Sequence, residues 1–108
     1  MRGPGGYSGG RVSDSLISQV DIYPTLCELL EIDPPQWLEG RSMLPIIRNE
    51  KEEINEEVFY EANYQGTDYT PQRAVRTRRW NYVRVYDQQS NIVQEMLYDL
   101  ILDPNERH

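Results

Sequence analysis

The spacing of apolar and polar residues changes once along this chain, and the change divides it in two. From Asp21 to Ile32, residues Ile22, Leu26, Leu29 and Leu30 recur at i, i+4, i+7 and i+8, the spacing of one helix face. Pro24 falls in the first turn, where a missing N–H leaves nothing unpaired, and Asp21 stands where a cap is needed. Asp33-Pro34-Pro35 ends the helix. Trp37-Leu38-Glu39-Gly40 reads as a turn, and Ser42 opens a short helix through Ile47, with Pro45 in its first turns.

Beyond the acidic run Glu50–Glu57, which reads as a solvated linker, the period becomes two. Glu57–Ala62, Arg73–Arg78, Trp80–Tyr86 and Met96–Leu100 are rich in Val, Tyr, Phe and Trp, with polar residues at alternate positions, the pattern of strands. In the third of these, Trp80, Tyr82, Arg84 and Tyr86 share one face, and Val83 and Val85 lie on the other. Gly66 to Pro71 separates the first two strands. Arg78–Trp80 is a tight hairpin corner or a bend in one long strand, and Gln88 to Asn91 turns the third strand into the fourth. The expected fold class is α+β, a small antiparallel sheet of about four strands packed with helices.

One domain is expected over 1–108: loop and helices over 1–50, the sheet over 56–102, and the start of a helix at 103–108. Asp103 can cap that helix, Pro104 fits its first position and Glu106 suits the positive end of its dipole. A helix start with no helix after it reads as a chain cut from something longer.

Composition narrows the partners. A domain of 108 residues buries roughly two-thirds of its unfolded surface. The net charge of −7 excludes generic nucleic-acid binding, which needs a positive field. No stretch approaches the ~18–20 apolar residues of a membrane span. The charge is uneven: six Glu fall between Glu50 and Glu61, and five of the eleven basic residues fall between Arg73 and Arg84.

Few residues carry chemistry by themselves. The opening Arg2–Gly10 holds five glycines in nine residues, but no G-x-G-x-x-G and no following Lys-Ser/Thr, so it reads as a surface loop. Cys27, the single cysteine, excludes an internal disulfide, and on an amphipathic helix it reads as a small buried apolar group. Helix capping accounts for Asp21, and Asp99 and Asp103 read as turn and cap residues. His108 is the only histidine. With no His pair, Cys-x-x-Cys or Asp-x-Asp, no metal site is expected in this chain alone.

Phrases spread over nearly the whole length resemble one family. Arg2-Gly-Pro-Gly5 is similar to the "RGPG" that follows the last core strand of many sulfatases. Val20-Asp21-Ile22-Tyr-Pro24-Thr25-Leu26 resembles "xxDixPTL", and Leu38–Pro45 resembles "leGrSLlP". Glu57–Glu61 with Pro71–Thr77 resembles "vfxE…PxRavRT", and Leu97–Glu106 resembles "LYDLxxDPxE". The block Glu57–Glu61 with Pro71–Thr77 points to the heparan N-sulfatase, or sulfamidase-like, branch. Two positions depart from it: Gln65 stands where that branch carries a His, and Asn81 where it carries a Lys. Both departures bear on the substrate class.

The resemblance implies a C-terminal sulfatase subdomain that helps shape a substrate pocket for sulfated sugars and is inactive alone. It implies a parent enzyme using a divalent cation (Ca or Mg) and a formylglycine, both held by an N-terminal catalytic domain. It further implies a periplasmic, secreted or lysosomal parent. Apolar surface left exposed where that domain packs would favour homo-oligomers of the isolated chain. Arg73, Arg76, Arg78, Arg79 and Arg84 either pair with the nearby glutamates or serve a ligand. The site expected is Glu61 with Arg73 and Arg76, contacting an acidic sugar, since guanidinium forks match carboxylate and sulfate oxygens. The alternative is a stand-alone module that binds acidic glycans or a protein without catalysis.

Overall fold

The computed structural model describes residues 10–64 and 70–107. The glycine-rich opening before Gly10, Gln65, most of the separator expected over 66–71, and His108 lie outside the described residues.

A short 3-10 turn, Gln19–Asp21, leads into α1, Ile22–Leu29, and α2 spans Leu44–Ile47. Four strands follow: β1 Glu57–Tyr64, β2 Thr70–Thr77, β3 Trp80–Tyr86 and β4 Ile92–Asp99. They form one antiparallel sheet in the order β1-β2-β3-β4, so the fold is α+β, as the two periods imply. Arg78 and Arg79 form the two-residue β2–β3 hairpin, with the Thr77 hydroxyl accepting the Trp80 N–H at 2.9 Å. β4 starts at Ile92, four residues before the expected Met96. Its register shifts between Val85 and Tyr86, from Val85↔Gln94 to Tyr86↔Ile92, passing over Val93. A bulge of this kind breaks the alternation that marks a strand in sequence.

The two halves bury different chemistry. On the sheet, Ala74, Val83 and Val85 are buried, with Asn81 beside them. In the helical half, Leu44 and Cys27 are buried, but so are Asp21 and Thr25. Asp21 does not cap α1 with its side chain. Its Oδ2 accepts the Ser18 N–H and the Asn55 side-chain amide, each at 2.8 Å, and its Oδ1 accepts the Arg41 N–H at 2.8 Å. The Thr25 hydroxyl donates to the Asp21 carbonyl at 2.6 Å and accepts the Met43 N–H at 2.8 Å. Three separate stretches are thereby tied to one buried carboxylate, which is satisfied as a buried charge must be. Gly40 lets them close: a Cβ there would lie 2.0 Å from the Val20 carbonyl oxygen.

With Asp21, Thr25 and Cys27 turned inward, the apolar stripe of α1 faces out. Ile22, Leu26 and Leu30 are 48%, 47% and 67% exposed, and Tyr23 and Ile32 are exposed beside them. The molecule is drawn out to 48 × 35 × 22 Å, with a radius of gyration of 17.2 Å, against roughly 13 Å for a compact domain of this length.

The chain closes in turns. The Leu100 N–H donates to the Arg79 carbonyl at 2.7 Å. Asp103 Oδ2 accepts the Arg107 N–H at 2.5 Å. Glu106 sits at φ 53°, a left-handed conformation outside the helical region, so no helix starts at Asp103 among the described residues.

Candidate functional site

The expected trio, Glu61, Arg73 and Arg76, separates in the structure. Glu61 and Arg73 are direct cross-strand neighbours on β1 and β2, with Arg73 Nε 2.9 Å from Glu61 Oε1. Arg76 lies three residues further along β2, on the opposite face of the sheet. There it meets Glu106 at 3.4 Å. The same Glu106 carboxylate accepts the buried Asn81 amide at 3.1 Å, and the Tyr60 hydroxyl donates to Asn81 Oδ1 at 3.2 Å. Arg76 and Asn81 therefore anchor the C-terminal turn to the sheet.

The other arginines also have acidic partners. Arg78 pairs with Glu53 of the acidic run, Arg79 with Asp99 at 2.8 Å, and Arg84 with Glu95 at 3.1 Å. Three of the five lie near an aromatic ring, Arg73 by Tyr86 at 5.7 Å, Arg79 by Trp80 at 4.7 Å and Arg84 by Tyr82 at 5.3 Å. The pairing of arginine with glutamate that the charge asymmetry suggested is thus realised at Arg73 and Arg78. Exposed pairs of this kind are worth ~0–1 kcal/mol each.

Glu61 and Arg73 line a groove of about 200 Å³, together with Asn63, Asp87, Gln88 and Ser90. The strand order explains the gathering. In a four-stranded meander, the β1–β2 and β3–β4 connections emerge at the same end of the sheet. Asp87 braces the second connection: its Oδ1 accepts the N–H groups of Gln89 and Asn91 at 2.9 and 2.8 Å, and its Oδ2 accepts the Asn91 side-chain amide at 2.9 Å. The Asn91 amide, then its backbone N–H and that of Gln89, hold the Asp87 carboxyl below its ordinary range. Ser90, at φ 66°, closes the turn by donating its N–H to the Asp87 carbonyl at 3.1 Å.

Asp87, Gln88 and Ser90 were not among the expected site residues. The sequence did hold the signal: four consecutive antiparallel strands place the turn 87–91 beside the one after β1. The groove offers a carboxylate–guanidinium pair, the side-chain amides of Asn63 and Gln88, and the Ser90 hydroxyl. Among the described residues no three His, Cys, Asp or Glu side chains are grouped to hold a metal ion, and Cys27 is buried. The described residues do not fit a cation or a formylglycine. Nor is any helix of the described residues long and apolar enough to cross a membrane.

Residues 1–108 match the family described as N-sulphoglucosamine sulphohydrolase, C-terminal. Arylsulfatase K of Homo sapiens is 35% identical over 116 residues, which take in 98% of this chain and 20% of that protein. The Delta 4,5-hexuronate-2-O-sulfatase of Bacteroides thetaiotaomicron is 33% identical over 109 residues, 97% of this chain and 22% of that protein. The solved structure of a 2-O GAG sulfatase superposes with a TM-score of 0.67 at 36% identity, covering 82% of this chain and 18% of that one. The chain thus spans about a fifth of the length of these relatives. Sequence and fold agree that the chain belongs to the sulfatases, as their N-sulphoglucosamine sulphohydrolase C-terminal domain.

Proposed function

We propose that this chain is the C-terminal part of a hydrolase acting on sulfated sugars, that it forms one wall of the substrate pocket, and that it has no activity alone. The observation that carries the reading is the polar groove at the loop end of the sheet, in a chain that otherwise supplies no catalytic group among its described residues. Nucleophile and cation belong to the preceding catalytic domain. Arg73, held ready by Glu61, meets an acidic group of the sugar there, since a guanidinium exchanges one carboxylate partner for another oxyanion at little cost on the surface. Two of the names, the Delta 4,5-hexuronate-2-O-sulfatase and the 2-O GAG sulfatase, favour a 2-O-sulfated hexuronate of the glycosaminoglycan type.

The apolar face of α1 supports the same reading. Ile22, Leu26, Leu30 and Ile32 form a patch that water disfavours and that a packed domain interface would remove. The preceding domain is its proposed partner.

Sulfate release tests the proposal. The whole polypeptide that carries this chain, given 2-O-sulfated unsaturated uronate sugars, is expected to liberate inorganic sulfate, and the 108-residue chain is expected to liberate none. Arg73→Ala is expected to raise KM about tenfold with a smaller change in kcat, the loss of one charge-assisted contact. Release by the short chain, or unchanged kinetics in the variant, would contradict the proposal.

A further inference from the structure

The groove's charge says which part of a substrate it can hold. Its ionised lining is Glu61, Arg73 and Asp87, one cation against two anions. Glu61 already neutralises Arg73 at 2.9 Å, and Asp87 remains ionised because three hydrogen bonds favour the carboxylate. Such a surface does not draw in a densely sulfated run, which would bring several charges against a field that is not positive. It does suit a ring whose recognition rests on hydroxyl groups.

The remaining lining supplies that recognition. Asn63, Gln88 and Ser90 line the groove, and their side chains hydrogen-bond no other described residue. Asp87 has the opposite part: its oxygens are taken up in bracing the turn, so it fixes the positions of Gln88 and Ser90 and leaves the contacts to them. Tyr86, the residue before the turn, places an aromatic ring 5.7 Å from the Arg73 guanidinium. A volume of about 200 Å³ is on the scale of one sugar ring.

Resting on the sulfatase reading, we propose that the β3–β4 turn, through Gln88 and Ser90 with Asn63 opposite, is the specificity-determining wall of the pocket. It reads the hydroxyl groups of a single sugar unit whose carboxylate Arg73 meets. The sulfate itself is held elsewhere.

The test uses the whole polypeptide and two readouts, sulfate release and binding of a mono-sulfated disaccharide followed by saturation-transfer NMR. Gln88→Ala and Ser90→Gly, the glycine chosen for the left-handed φ, are expected to raise KM about five- to tenfold together, with kcat held within about twofold. Both variants should weaken disaccharide binding by the same factor, and that binding should change little between low and moderate salt. An unchanged KM and unchanged binding in an active enzyme overturn the proposal, as does a preference for long, densely sulfated chains with steep salt dependence. Disaccharide binding lost in the variants of a protein that releases no sulfate keeps the subsite and overturns the sulfatase reading. Absence of both binding and release overturns both.

Discussion

The helical half and the sheet half of this chain solve burial in opposite ways. In the sheet, apolar Ala74, Val83 and Val85 point inward, and the opposite face carries the Arg73, Arg79 and Arg84 pairs. Around α1 the inward residues are Asp21, Thr25, Pro24 and Cys27, and the long aliphatic side chains point out. A polar hub fixes geometry but contributes little net free energy, since its hydrogen bonds replace bonds to water. A sheet face draws directly on apolar burial. The lesson is that the sheet buries a small apolar set of its own, while the helical half closes on a polar hub and turns its long aliphatic side chains out.

The largest effect expected from breaking this contrast comes at the hub. Asp21→Ala leaves the Arg41 and Ser18 N–H groups and the Asn55 amide without their acceptor, and should destabilise the helical half by about 3 kcal/mol or more. Gly40→Ala should match it, because the new methyl meets the Val20 carbonyl oxygen, an overlap only backbone movement relieves. Denaturant unfolding followed by the fluorescence of Trp37 for the helical half and Trp80 for the sheet would separate the two responses. Both substitutions should shift the Trp37 transition more.

A second substitution sharpens the contrast through context. Leu26→Ser, on the exposed apolar face, should change the stability of the isolated chain by less than about 0.5 kcal/mol. In the whole polypeptide the same change should cost about 2 kcal/mol or more, as for a buried leucine. Equal effects in the two settings would mean that nothing packs there.

The smallest effects are those of the surface charges and pH. Arg73→Ala should alter stability by under about 1 kcal/mol, whatever it does to KM. Asp87, Glu95 and Asp99 are held below the ordinary carboxylate range, chiefly by hydrogen bonds from Asn91, Tyr82 and Arg79 respectively. A depressed folded pKa gives stability that is complete above the unfolded value and lost as pH falls through the folded one. Thermal midpoints should therefore be flat above about pH 5 and decline toward about pH 3, and Asp87→Asn should flatten part of that decline.

Much of this was legible in the residues. Period-two alternation located β1 and β3, and Val83 and Val85 declared the inner face of β3. The family phrases placed the chain among the sulfatases. The start of β4 was hidden because the bulge at Val93 puts neighbouring apolar residues where alternation requires a polar one. The outward stripe of α1 was legible as a stripe, but periodicity reports which residues share a face and not which way that face points. Glu61 and Arg73 were found together, since they are cross-strand partners. Arg76 was misplaced by reading a basic block as one surface, when a three-residue step on a strand changes face. Asp87, Gln88 and Ser90 escaped notice because they join the groove through the pairing of four strands and not through any local motif.

Hydrogen exchange on the 108-residue chain and on the whole polypeptide compares the two halves most directly. In the short chain, amides of β2 and β3 should exchange slowly and those of α1, Ile22–Leu29, quickly. In the whole polypeptide the α1 amides should slow by about a hundredfold or more, as expected when an open helix gains a packed face. If α1 were as protected as β3 in the short chain, or gained no protection in the long one, the helical half would not be a docking element and the account would fail.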